Sequence, residues 1–349
     1  MRTWERDAAG RARLLVLAVL FLTPLAASGQ PQRMPRLTCR AGYLDFEAVH
    51  GLEGLRAAVK QAVEQNDSAA LTFLTERLSE VIGRDTGAAL QVVTWADTAV
   101  EPELSALLGG LRNSEAVRDS RVAARLFTLA EGHADPAHQA QALVALETQE
   151  RFDASAMDRL SALAKQDTGA KGVAMHAVRT LGRVMQNDFQ ATGTVTPYLT
   201  RLLDVASSAA DSSVRTLAVE MGSYPAARLD DASVQALARV MKQDADADVR
   251  EMAALVLSNG RDTRAVLAHF DEAFRAEKSL CVRLAILRYT LRAGGAEALP
   301  QVKEYARQDR RFQQDAADFE ALYRAGHTDF DRLWLSKRMR HRCPDESGD

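Results

Sequence analysis

Asp211-Ser-Ser-Val-Arg-Thr-Leu-Ala218 and Asp246-Ala-Asp-Val-Arg-Glu-Met-Ala253 decide the fold of this 349-residue chain. In both, an Asp is followed at three places by a branched residue, at four by an Arg and at seven by an Ala. Looser copies run Asp135, His138, Gln139, Ala142 and Asp167, Ala170, Lys171, Ala174. Successive copies start 32 residues apart from Asp135 to Asp167 and 35 apart from Asp211 to Asp246, the interval of a two-helix repeat. The step from Asp167 to Asp211 is 44 residues, and its excess falls in the polar stretch Gln186 to Thr194, which reads as an inserted loop. From Ser279 to Leu287 a degenerate fifth copy aligns either Val282 and Arg283 or Ala285, but not both.

An Asp in this place caps a helix. Its carboxylate accepts from the free N–H groups of the first turn and lies at the positive end of the helix dipole, so Asp135, Asp167, Asp211 and Asp246 mark helix starts. Small residues on one face, Ala142 with Ala145 and Ala174 with Ala177, let neighbouring helices approach closely. The cation beside the Val points away from that face and can reach an acid on the next repeat. On a solvated surface such a pair contributes about 0–1 kcal/mol.

The segments resemble HEAT-like repeats, including the variant named after phycobilisome lyases, whose second helix opens Asp-x-x-Val-Arg-x-x-Ala and continues with an apolar residue three places later. Ala145, Ala177, Met221 and Val256 hold that later position here. The resemblance spans roughly Ala116 to Gly326. It implies an all-α solenoid, a HEAT-like superhelix of antiparallel helix pairs with the motif helices lining its concave face. It carries no lyase activity across, because no residue matches a catalytic motif of an enzyme branch.

Apolar residues elsewhere keep the same helical period, as in Ser233 to Lys242 with Val234, Leu237, Val240 and Met241. Leu90 to Trp95 could be a strand or a buried helix. Aromatics make up 6% of the chain while apolar residues reach 47%, which suits closely packed helices better than a sandwich or barrel. The expected order is a signal peptide at 1–29, an extension at 30–44, atypical capping repeats at 45–114, HEAT-like repeats at 115–326, a capping helix at 327–340 and a disordered tail at 341–349.

Arg2, Arg6, Arg11 and Arg13 precede an apolar run from Leu14 to Leu22, and Ala27-Ser28-Gly29 supplies small residues for cleavage before Gln30. The apolar stretch to Ala27 contains Pro24 and is shorter than the ~20 residues a membrane span needs. The mature chain is thus expected to be exported, periplasmic or extracellular, without a transmembrane span. The formal net charge of −3 argues against nucleic acid, which calls for a basic stripe. Lys337, Arg338, Arg340, His341 and Arg342, beside Trp334, form one local basic cluster that could hold an anionic group, or else complement a helix C-terminus. Cys39, Cys281 and Cys343 leave at least one thiol unpaired within the chain, and Cys281 reads as a small buried hydrophobe.

No cofactor or metal is expected. The histidines avoid His-Glu-x-x-His, and His133 and His138, five apart, would lie on different faces of a helix. Asp244, Asp246 and Asp248 alternate as in a calcium loop, but Val249 and Leu255 stand where that loop needs Gly and Glu. No Gly-x-Ser-x-Gly, phosphate-cradling loop or Cys-x-x-Cys occurs, which points away from an enzyme. The expected function is a non-enzymatic scaffold that binds another protein or an extended peptide, with His176, Arg179, Arg215, Glu220, Arg250, Glu251 and Arg283 as its contacts. An envelope enzyme or enzyme accessory, and a structural spacer, are the competing readings.

Overall fold

The computed structural model describes residues 49, 51–166, 171–223 and 229–327, which belong to one compact unit beginning at Val49. The segments expected to form a signal peptide, the Asp167 cap, the basic C-terminal cluster and the capping helix and tail lie outside these residues, as do Cys39 and Cys343. Among the described residues the chain is all-helical, with one isolated bridge between Leu229 and Gly260 in place of a sheet.

Among the described residues sixteen α-helices follow one another: α1 Leu52–Glu64, α2 Ser68–Ile82, α3 Thr86–Ala96, α4 Glu103–Asn113, α5 Ser120–Gly132, α6 Pro136–Leu146, α7 Ala154–Lys165, α8 Lys171–Thr192, α9 Thr196–Ser208, α10 Ser212–Met221, α11 Asp231–Gln243, α12 Ala247–Leu257, α13 Thr263–Ala276, α14 Leu280–Gly294, α15 Leu299–Gln308 and α16 Gln313–Arg324. Each odd-numbered helix packs on the even-numbered one that follows it. The even helices from α2 to α14 also pack each on the next, and α7, α9, α11 and α13 do the same in the other row. Leu90 to Trp95 lies in α3, where Val92, Val93 and Trp95 are buried at helical spacing. No break in packing separates the N-terminal helices from the motif-bearing ones, since α4 packs on α6 across the expected boundary at 114.

The capping Asp is more general than the repeat suggested. Asp135, Asp211 and Asp246 accept from first-turn amides of α6, α10 and α12. Asp67, Asp85, Asp119, Asp153, Asp230 and Asp262 do the same for α2, α3, α5, α7, α11 and α13. Asp246 Oδ1 lies 2.9 Å from the amide of Asp248 and 3.4 Å from that of Val249. Asp246→Ala is expected to lower stability by about 1 kcal/mol, read from urea melts of the variant beside wild type. An unchanged midpoint would place the start of α12 elsewhere.

Two expectations change here. Gln186 to Thr192 is not a loop but the last two turns of α8; the connection is only Gly193 to Val195, with Gly193 at φ 76°. Two polar side chains of this stretch bond to neighbouring elements. Asn187 Nδ2 donates to the carbonyls of Glu147 (3.2 Å) and Gln149 (2.8 Å), and buried Asp188 accepts from the Tyr198 hydroxyl at 3.1 Å. Cys281 is only half-buried and is disulfide-bonded, so it is not the buried apolar thiol expected. The sequence holds only Cys39 and Cys343 besides it.

Candidate functional site

The row of even helices carries all seven expected contact residues, but the structure divides them into three groups. Arg215, Arg250 and Arg283 are committed within the chain. Arg215 on α10 makes a two-pronged bond to Asp244 at 2.8 and 2.9 Å, Arg250 on α12 does the same to Glu277 at 2.8 and 3.1 Å, and Arg283 on α14 reaches Asp309 at 2.9 Å. Each acid follows the odd helix of the next repeat. The guanidinium also bonds back to the turn before its own helix: Arg215 donates to the carbonyls of Ala209 and Ala210, and Arg250 to those of Asp244 and Ala245.

The ladder expected from the motif is therefore present, but it is not a solvated one. Side-chain exposure is 14% and 8% for Arg215 and Asp244, and 15% and 9% for Arg250 and Glu277. These cations could meet a partner only by leaving their acids. Burial pushes Glu277 up, yet the Arg250 bonds and the amides of Ser279 and Lys278 outweigh it and hold the carboxyl below its usual range. In the degenerate repeat, Ser279 replaces Asp as the cap and Arg283 keeps the ladder position. Asp309 is shared there with Arg311, and Arg283 Nε is left buried without a hydrogen bond.

The second group lies where α4, α6 and α8 meet. His176, Arg179 and Arg183 follow one another down one face of α8 at helical spacing. Arg112, in the last turn of α4, approaches Glu147 at the end of α6 to 3.7 Å. Burial raises the Glu147 carboxyl above its usual range, against the pull of Arg112, Arg183 and Arg179. Burial, with the Arg179 charge, lowers His176, whose Nδ1 has no hydrogen-bond partner among the described residues. Among the described residues, exposed Arg179 joins no ion pair and Arg183 donates only to the Gln186 side chain, at 3.3 Å.

Farther along the row, Glu220 on α10 is exposed. Half-buried Glu251 on α12 is raised by burial despite the attraction of Arg288 on α14, with Asp248 adding to the rise. Arg288 is lowered by burial and lies over the Tyr289 ring at 5.5 Å. Sequence reasoning missed Arg112, Glu147, Arg183 and Arg288. Arg183 was findable, being one helical turn beyond Arg179; Arg112 and Glu147 stand at helix ends, outside the repeated pattern.

The two histidines expected on different faces are stacked instead, with ring centroids 3.8 Å apart and planes 19° from parallel. His133 has already left α5 and does not share the helix of His138, so helical spacing does not govern the pair. Asp135 joins them: its N–H donates to His133 Nδ1 at 3.0 Å, and its carboxylate lies 3.1 Å from His138 Nδ1. The opposite ring nitrogens bond to the carbonyls of Asp97 (3.1 Å) and Ala99 (2.7 Å). Buried His138 thus ties the turn before α6 to the segment after α3.

A groove of about 520 Å³ runs between α9 and α11 in the other row, lined by Thr196, Thr200, Asp204, Ser207, Asp230 and Arg239. Its carboxylates are engaged: Asp204 accepts from Lys165 at 2.6 Å and Asp230 caps α11. Among the described residues no group of three or more His, Cys, Asp and Glu could hold a metal ion, and no helix is long and apolar enough to cross a membrane. Asp244, Asp246 and Asp248 are an ion-pair acid, a helix cap and a first-turn acid. No family model and no curated protein matches the chain.

Proposed function

We propose that this chain is an exported α-solenoid of HEAT-like repeats that binds another protein or an extended peptide, without catalysis, through the concave face of its even-numbered helices. The observation that carries this reading is the packing order. Each even helix from α4 to α12 touches the even helix before it, the even helix after it and its own odd partner, which is how a repeat array builds one continuous surface from identical units. A surface built this way is already ordered before it binds, so little ordering entropy is lost on association. The Cys281 disulfide favours export, since such bonds persist in oxidising compartments.

In this reading the contacts are His176, Arg179, Glu220 and Glu251, joined by Arg112 and Arg183. Arg215, Arg250 and Arg283 act one step behind them by holding successive repeats in register. Small-angle scattering on the mature chain tests the premise. A compact fold of its length has a radius of gyration of about 20 Å, and a stack that contacts only neighbouring repeats is expected to exceed that clearly. A radius at the compact value would remove the long face on which the reading depends.

A further inference from the structure

We propose that the patch formed by Arg112, His176, Arg179 and Arg183 around Glu147 takes an acidic polypeptide segment. The inference rests on the reading of the even-helix face as a binding surface and names its partner's chemistry. Three guanidiniums from α4 and α8 bear on a single half-buried carboxylate, leaving a local excess of two positive charges on a chain whose net charge is −3.

Arginines elsewhere on the helices are often consumed: Arg56, Arg159, Arg201, Arg215, Arg250 and Arg283 all reach acids at 3.4 Å or less. Among the described residues, exposed Arg179 and Arg183 feel the charge of Glu147 but close no ion pair with an acid, and His176 Nδ1 lacks a partner. Planar guanidiniums recognise carboxylates with paired, charge-assisted hydrogen bonds. Glu147 in the patch, with Glu220 and Glu251 farther along the same row, repels a uniformly charged polyanion. It leaves room for a polypeptide whose acidic stretch is short and whose flanks are mixed.

The test uses the mature chain and two labelled peptides, one alternating Glu and Ser and the other alternating Gln and Ser, followed by fluorescence anisotropy at low salt. The expected result is binding of the Glu peptide only, weakened by added salt. Binding should fall about tenfold or more in Arg179→Glu/Arg183→Glu, as two charge-assisted contacts are lost. Glu147→Gln should tighten it several-fold by removing a like charge, and Arg264→Glu, on α13 in the other row, should leave it unchanged. Melts of each variant check folding, and Arg179→Gln/Arg183→Gln provides a milder change at the same exposed positions.

Absence of Glu-peptide binding, or equal binding by the double variant, overturns the proposal. So does stronger binding of a double-stranded DNA oligonucleotide at the same patch. Proteins of the cell envelope retained equally by wild type and Arg179→Glu/Arg183→Glu would sink the acidic-segment inference while leaving the scaffold reading intact. A wild-type chain that retains nothing would count against the scaffold reading itself.

Discussion

Arg250→Ala will lower the unfolding free energy by about 3 kcal/mol, several times what an exposed ion pair contributes. The guanidinium holds Glu277 with two bonds and the carbonyls of Asp244 and Ala245 with two more, in surroundings that leave it 15% exposed. Truncation leaves the Glu277 carboxylate enclosed and facing only the amides of Lys278 and Ser279. An uncompensated buried charge is what makes such a loss expensive. Removing both partners in Arg250→Ala/Glu277→Ala should cost clearly less than the two single changes added together, and a double-mutant cycle from urea melts measures the difference. Additive effects would show that the pair is not coupled.

The same pair gives the chain an acid-sensitive component. Glu277 is held below its usual range in the folded chain, so on acidification the unfolded chain takes up that proton first. The pair's stabilisation is full above the ordinary carboxylate range and is lost as pH falls through the lowered folded value. Repeating the melts from about pH 7 down to about pH 3 should show the gap between wild type and Arg250→Ala narrowing toward the acid end.

Phe274→Ala should cost about 3–5 kcal/mol. Phe274 on α13 is completely buried and stacks on Tyr305 of α15 at 3.9 Å with planes 13° apart. Phe312 packs at a tilt 5.8 Å away, and the Arg283 guanidinium lies 4.4 Å over its ring. One side chain thus joins three successive helices, and its loss empties a volume that the surrounding helices cannot close without moving. It also strips an aromatic face from the most weakly satisfied guanidinium of the ladder. Phe274→Leu, which refills most of the space, should recover a good part of the loss. Equal destabilisation by Ala and Leu would mean that the ring contacts, not the volume, set the cost.

Arg250 and Phe274 also show where sequence reading stopped. The Asp-x-x-Val-Arg pattern located the starts of α6, α10 and α12 because capping is local: the carboxylate and the amides that it meets are two or three residues apart. The acids at the other end of the ladder have a pattern too. Asp244 and Glu277 each stand two residues before the cap of an even helix, where a backbone amide holds the carboxylate in place, at 2.9 Å from Asp246 N–H and 2.8 Å from Ser279 N–H. That spacing is visible in Asp244 and Asp246, where it also resembles the opening of a calcium loop. His133, two residues before Asp135, takes the same amide bond, and no repeat alignment based on acids would have shown it.

The sequence by itself determined the helical class and the caps of the motif helices, because both depend on residues within one or two helical turns of each other, and the recurrence of the motif at 32 and 35 residues determined the two-helix interval. Only the tertiary structure decided which charges are spent and which are free. Arg215 and Arg250 carry the same motif position as Lys171 and the same charge as Arg179, yet two are enclosed by acids 29 and 27 residues away while Arg179 stands exposed. Whether a guanidinium meets a carboxylate or water depends on how adjacent repeats bring their turns together, and that is set by packing between helices distant in sequence.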